Sequence, residues 1–273
     1  MDIAIIGHGF VGQAVSNSYK DVKDINTIIV DPADPKATCL DFAIEEAQIF
    51  FICLPTPSNE DGSCDTDLVE MVIRRINKTI ETISPLIIIK STMPPDALQE
   101  LEDESIVPIV YNPEFLTQAN SIQDYLTPQM HILGGRSNAT RMAEVVLTNI
   151  SKCQPCPIYK TDIKTAALAK YAINSYLATK VSFMNELFQL HHMSGAESSF
   201  AELASILSSD SRIGKSHLQV PGPDGEFGFG GACFPKDTKA FVEYAKTKNT
   251  NLDIISSAIE VNQKIRNKIN SFT

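Results

Sequence analysis

A short apolar stretch, Asp2-Ile3-Ala4-Ile5-Ile6, runs straight into Gly7-His8-Gly9-Phe10-Val11-Gly12 and then into a helix-like segment from Gln13 to Tyr19. Strand, G-x-G-x-x-G, helix is a tight constraint because each glycine has its own task. The first permits the turn, the second leaves the backbone open to a pyrophosphate, and the third lets the helix pack on the strand, with the helix start facing the phosphates. Gly7, Gly9, Phe10, Val11 and Gly12 are therefore the candidate phosphate cradle. The pattern needs an acidic residue at the end of a second strand, and Thr27-Ile28-Ile29-Val30-Asp31 provides one nineteen residues after Gly12. Asp31 is expected to hold the adenosine ribose hydroxyls. Its carboxylate would repel a 2′-phosphate, so the expected cofactor is NAD rather than NADP; the competing reading is a plain α/β turn.

Further strands are predicted at Gln48–Leu54, Leu86–Lys90, Val107–Tyr111 and Met130–Leu133, separated by helical patterns at Asp65–Ile83 and Asn138–Ile150. That alternation predicts an α/β fold with a Rossmann-type, doubly wound parallel sheet. Ligands of such sheets lie beyond the carboxyl ends of the strands. The residues there are Pro55-Thr56-Pro57, Ser91-Thr92 and Asn112-Pro113-Glu114. Thr56, Ser91 and Thr92 suit hydrogen bonds to a cofactor or a reacting water, or alternatively the capping of the next helix. Glu114, beside Phe115 and Leu116, suits a general base, or is a solvated loop glutamate.

From Thr161 one long helix is predicted through His191, with Ala167, Leu168, Tyr171, Ile173, Leu177, Val181, Met184 and Leu187 on almost every face. Such a helix is expected to be buried all round. Thr161 or Asp162 would cap it, which places the domain boundary there: 1–160 as the cofactor domain, 161–273 as an all-α domain built on the long helix. Lys170 and Asn174, four apart, share a face. They are either inward functional groups or a snorkelling lysine beside a solvated asparagine. His191 and His192 are read as terminal rather than catalytic. Shorter helices are expected at Ser199–Leu207, Pro235–Lys248 and Leu252–Ile269.

Before the penultimate helix stands Gly228-Phe229-Gly230-Gly231-Ala232-Cys233-Phe234-Pro235-Lys236-Asp237. Glycines let backbone approach a ligand, and the proline suits the first turn of a helix, so a thiol sits at a helix start. The positive helix end and Lys236 both favour the thiolate, the nucleophilic form. A buried structural cysteine in a glycine turn is the other reading.

Composition narrows the partners. With 273 residues, 43% hydrophobic and 21% charged, the chain is long enough for two cores. A net charge of -10 argues against a nucleic-acid surface. No apolar run has the length of a membrane span, and no basic segment precedes the first apolar residues, so neither membrane nor signal peptide is expected and a cytoplasmic location is. The six cysteines read as free thiols of a reducing compartment. Cys153-Gln154-Pro155-Cys156, a single C-x-x-C pair, cannot complete a zinc site and is read as surface loop, so no metal is expected.

Taken together, these residues resemble the UDP-glucose/GDP-mannose dehydrogenase family. The resemblance rests on six segments in order: Gly7 to Gly12, Cys53-Leu54-Pro55-Thr56-Pro57, Lys90-Ser91-Thr92-Met93-Pro94-Pro95, Asn112-Pro113-Glu114-Phe115-Leu116, Lys170-Tyr171-Ala172-Ile173-Asn174, and Gly228 to Asp237. It implies oxidation of a nucleotide sugar, UDP-glucose first, at C6 from alcohol to carboxylate with two NAD. Cys233 would form a thiohemiacetal and then a thioester. Lys170 would assist electrostatically, and Asp237 would orient the base or water. Asn174 and Lys170 would stabilise oxyanion charge, and Glu114 with Thr92 would direct the hydrolytic water. Lys236 and Gly231 would lie near substrate or cofactor, with Thr56, Ser91 and Thr92 on the cofactor side. Substrate contacts would include Glu114, Phe115, Leu116, Lys170, Asn174, Gly230 and Gly231. Arg212 would reach the neighbouring subunit's substrate site in a homodimer formed through helix 162–192.

Departures from the family pattern bear on the substrate. The family ordinarily continues into a second Rossmann-like domain, whereas this chain stops at Thr273, as a short form or one completed by a partner. Asp96 stands where glycine is frequent, His217 where an aromatic is, and Pro223-Asp224-Gly225-Glu226 adds two acids that would repel a diphosphate. Two rival readings are a two-electron β-hydroxyacid dehydrogenase, which needs no cysteine, and a non-catalytic NAD-binding module.

Overall fold

In the computed structural model, which describes residues 1–80 and 85–269, a seven-stranded sheet has the order β2-β1-β3-β4-β5-β6-β7. The strands are β1 Asp2–Ile6, β2 Asn26–Val30, β3 Ile49–Ile52, β4 Leu86–Ile89, β5 Ile109–Tyr111, β6 His131–Gly134 and β7 Ile158–Thr161. β3 and β4 are buried at every residue, as central parallel strands covered on both faces must be. The helices of this region are α1 Phe10–Tyr19, α2 Leu40–Glu46, α3 Asp67–Thr79, α4 Pro95–Glu104, α5 Ser121–Leu126 and α6 Ser137–Val145, with a π turn at Val146–Ile150. α3 buries Val69, Val72, Ile73 and Ile76, the i, i+3, i+4, i+7 face that its sequence pattern requires. The predicted end of that helix, 81–83, lies outside the described residues.

The sheet departs from all-parallel at one place. β5 and β6 pair antiparallel, Tyr111 opposite Gly134. The link between them, residues 112–130, holds a 3-10 turn at Gln118–Asn120 and then α5, and it brings the chain back into the sheet on the side where β5 ends. β6 therefore enters from the carboxyl edge. β7, half exposed and barely alternating, is an edge strand that its sequence did not announce, and α2, α4 and α5 were likewise unannounced. Cys153 is not on a surface loop: it is buried among Tyr125, Val146 and Leu147, donates from Sγ to the Tyr125 carbonyl at 3.2 Å, and burial pushes its thiol up.

The chain divides into two compact units, residues 1–57 with 64–170, and 58–63 with 171–273. The division falls inside α7, Ile163–Met193, whose start is capped by Asp162 accepting from the Thr165 N–H at 2.9 Å. The second unit adds α8 Phe200–Ser209, α9 Phe234–Thr247 and α10 Asp253–Ile269. Its α8 begins at Ser199, whose hydroxyl accepts from the Glu202 N–H, and Phe200 packs with Met184 and Leu218. α7 is not buried all round: Tyr176, Phe183 and Leu190 are 65%, 59% and 65% exposed, with no described segment covering that face.

Candidate active site

In the first unit the strand order reverses between β2-β1 and β1-β3, and the turn after β1 sits at that switch point. The Gly7 N–H donates to the Val30 carbonyl, and the Cys53 N–H to that of Ile6, so three strand ends are tied together beneath the turn. Gly7 has φ +90, and a Cβ there would lie 2.6 Å from the Cys53 oxygen; one on Gly12 would lie 2.0 Å from the Gly7 oxygen. A Cβ on Gly9 would meet nothing within 4 Å, so space opens at the second glycine alone of the three. α1 has no side-chain cap and no acid in its first turn, which leaves the N–H groups about Phe10 and Val11 to an anion. Asp31 completes the cradle from the end of β2. Its carboxylate accepts from Ala33 N–H at 2.9 Å and His8 N–H at 2.6 Å, and these bonds lower its pKa. These features fit the pyrophosphate and ribose of NAD.

The hydroxyls at the next strand ends cap no helix. Thr56 Oγ1 donates to the Thr92 carbonyl at 2.9 Å, and Ser91 Oγ to that of Leu54 at 2.7 Å. Both are buried, as is Thr92, and they lock the β3 and β4 ends to each other. Glu114 is buried as well rather than solvated. Its carboxylate accepts from Lys170 Nζ at 3.1 Å and from the Leu116 N–H at 2.7 Å. Burial alone would raise this carboxyl; the Lys170 ammonium, the Leu116 N–H and Lys90 outweigh it and lower the pKa. Lys170 Nζ stands 5.2 Å from the Phe115 ring centroid. The lysine is 2% exposed and so is not a snorkelling one.

Two residues of this unit had been quoted only as parts of motifs. Lys90 Nζ, 3% exposed, donates to Asn112 Oδ1 at 2.8 Å and lies 5.2 Å from the Tyr125 ring centroid. Asn112 in turn donates to the Ile132 carbonyl at 2.9 Å. Burial lowers Lys90 to about 8, and pushes the neighbouring Cys53 thiol up to about 12. The available signal was a lysine ending a strand that is otherwise all Leu and Ile.

In the second unit Cys233 is the N-cap residue of α9, partly exposed, with Pro235 in the first turn. Asp237, one turn on, is 1% exposed. It accepts from Asn174 Nδ2 at 2.6 Å, and Lys236 Nζ stands 2.7 Å from its other oxygen, an ion pair without hydrogen-bond angles. Asn174 is buried, so Lys170 and Asn174 both face inward from α7. Arg212 is exposed and engages Asp210 with Nη2 at 2.5 Å. Asp224, one of the two acids expected to repel a diphosphate, lies 3.1 Å from Arg266. His217 packs on Phe234, ring centroids 5.5 Å apart, and burial lowers its pKa. Gly230 and Gly231 lie in the turn leading to Cys233.

Residues 35–151 match the model for the UDP-glucose/GDP-mannose dehydrogenase family, NAD binding domain, and residues 164–264 match that family's central domain. The chain is 30% identical over 297 residues to YtcA of Bacillus subtilis (strain 168), assigned as a UDP-glucose 6-dehydrogenase, covering 96% of this chain and 67% of that protein. With UDP-glucose 6-dehydrogenase AglM of Haloferax volcanii it shares 28% identity over 305 residues, 96% of this chain and 69% of the relative. A UDP-glucose dehydrogenase structure from the hyperthermophilic archaeon Pyrobaculum islandicum has the same fold, with a TM-score of 0.82 at 24% identity over 96% of this chain and 68% of that one. The chain spans about two thirds of the length of these relatives. The cofactor is NAD. No helix among the described residues is long and apolar enough to cross a membrane.

Proposed function

The chain belongs to the UDP-glucose/GDP-mannose dehydrogenase family, whose members are NAD-dependent oxidoreductases, and from that premise we propose that it oxidises a nucleotide sugar at C6 to the carboxylate through a covalent intermediate on Cys233. UDP-glucose is the first candidate substrate. The observation that carries this reading is the start of α9, where Cys233 stands at the N-cap position and Asp237 is buried one turn on against Asn174 and Lys236.

NAD bound by the Gly7 to Gly12 turn, Asp31, Thr56, Ser91, Thr92 and Lys236 would supply the two-electron acceptor for each oxidation. Lys170 steadies the alkoxide that develops as the C6 hydroxyl loses its proton, and Asp237 orients the water that takes it. Once the aldehyde exists, Cys233 Sγ bonds to its carbon and the carbonyl oxygen becomes an oxyanion. Asn174 and Lys170 offer N–H donors to that charge. Loss of a second hydride from the same carbon leaves a thioester. Glu114 and Thr92 direct water to it, the C–S bond breaks, and the carboxylate leaves with the thiol restored. Phe115, Leu116, Gly230 and Gly231 line the sugar nucleotide.

In this reading residues 1–160 form the cofactor domain and 161–273 the helical domain, within a cytoplasmic homodimer. Tyr176, Phe183 and Leu190 recur every seven residues on α7 and remain exposed, which supports pairing through helix 162–192, with Arg212 serving the partner's site. NADH released per nucleotide sugar consumed tests the chemistry. A ratio of two, with no carboxylate released by Cys233→Ser, is expected. A ratio of one with an unaffected Cys233→Ser variant would instead favour the two-electron chemistry of a β-hydroxyacid dehydrogenase.

A further inference from the structure

The glycine turn ahead of Cys233 is held from above by side chains of the second unit. Asn185 Oδ1 accepts from the Gly228 N–H at 2.9 Å, and Asn262 brackets Phe229, accepting from its N–H at 2.7 Å and donating to its carbonyl at 2.9 Å. One turn beyond Asn262 on α10, the Arg266 guanidinium lies over Gly230. A Cβ at residue 230 would stand 2.4 Å from Arg266 Nη2 and 2.9 Å from Nη1, so the absence of a side chain there is what admits the arginine.

Arg266 is poorly satisfied for a group so placed. Nη2 donates to Asp224 Oδ2 at 3.1 Å and marginally to the Gly228 carbonyl at 3.5 Å, while Nε is buried with no partner among the described residues. Asp224 is presented by a small turn, in which the Gly222 N–H donates to the Glu226 carbonyl and the Glu226 N–H to Asp224 Oδ1. Its side chain is 48% exposed against 33% for the arginine. Such a pair is worth little, and the carboxylate can return to water without leaving a buried charge behind.

We propose that Arg266 is an oxyanion receptor of the cysteine loop, occupied by Asp224 in the free protein and taken over by phosphate oxygens of the substrate's diphosphate. The planar fork suits a phosphate better than it suits one carboxylate oxygen, and a diphosphate offers oxygens to more of its donors. Asp224 thus acts as a resident counter-ion and not as a barrier to the diphosphate. That the anion is a nucleotide sugar's rests on the function proposed above; that Arg266 takes a diphosphate does not.

The test is calorimetric titration of inorganic pyrophosphate and of UDP into NAD-saturated parent, Asp224→Asn, Arg266→Met, Arg266→Lys and the double variant, with the urea-unfolding profile of each as the control for folding. Removing the resident anion should tighten both ligands up to about fivefold. Arg266→Met should weaken both by about tenfold or more, Arg266→Lys should recover only part, and Asp224→Asn should have no effect once Arg266 is gone. The proposal fails if the parent binds neither ligand, if Arg266→Met leaves binding unchanged, or if Asp224→Asn leaves it unchanged or weakens it. Nucleotide-sugar oxidation with a KM indifferent to Arg266→Met would sink this inference and leave the proposed function standing. The expected titrations without any nucleotide-sugar oxidation would do the reverse.

Discussion

Lys170 and Glu114 form a buried ion pair in which one ammonium serves one residue twice, reaching the Glu114 carboxylate at 3.1 Å and its main-chain carbonyl at 2.5 Å. With side chains 2% and 7% exposed, neither partner can fall back on water. Lys170→Met should therefore cost about 3–5 kcal/mol, read from urea unfolding, and adding Glu114→Gln should recover much of it. Glu114 has a lowered pKa in the native state, so its contribution is present above the unfolded value and lost as pH falls through the native one. Without Lys170 that loss should begin at higher pH. An acid-unfolding midpoint that does not move would show that the lysine is not what holds the carboxylate ionised.

Asp31 is expected to decide between the two nicotinamide dinucleotides. Its two oxygens already take the Ala33 and His8 N–H groups, which fix the carboxylate at the end of β2 and leave lone pairs for ribose hydroxyls. Asp31→Ala should remove charge-assisted bonds of about 1.5–3 kcal/mol, a ten- to hundredfold loss of NAD affinity, and relieve repulsion toward NADP. Titration of both cofactors into parent and variant checks this. An unchanged NAD to NADP ratio would remove Asp31 from the ribose site.

His131 makes the fold sensitive to mild acid. Burial, with Lys90 nearby, lowers its pKa from 6.5 to about 4, so in that interval the unfolded chain binds a proton that the native chain does not. Stability should rise with pH from about 4 to 6.5, by about 3 kcal/mol from this residue. Denaturant midpoints of parent and His131→Phe should diverge across that interval and run parallel above it.

The exposed apolar row on α7 predicts the assembly. Phe183→Asp would place two like charges on each other across a twofold axis and should raise the dimer dissociation constant by at least ~10-fold in sedimentation equilibrium. If the parent itself sediments as a monomer, helix 162–192 is not the interface.

How much of this was legible before folding differs from residue to residue. Gly7, Gly12 and Asp31 could be read directly, because a turn that admits no side chain and a strand ending in an acid are local demands, written at the positions that meet them. β1 to β4, α3 and the long α7 followed from apolar periodicity, and six segments in family order led to the dehydrogenase family that the comparisons support.

Tertiary structure decided what depends on distant partners. That β6 runs antiparallel to β5 shows only in their pairing, Tyr111 opposite Gly134, since a link of similar length joins β2 to β3 in parallel. Lys90 and Asn112 are twenty-two residues apart and acquire a joint role only when β4 and β5 bring their ends together. Asp224 looked like a repulsive charge until α10 brought Arg266, forty-two residues later, against it. Periodicity reports which face of an element is apolar, and a motif reports what one turn can hold. The sign and strength of a charge's surroundings depend on which other segments fold against it, and no local pattern carries that.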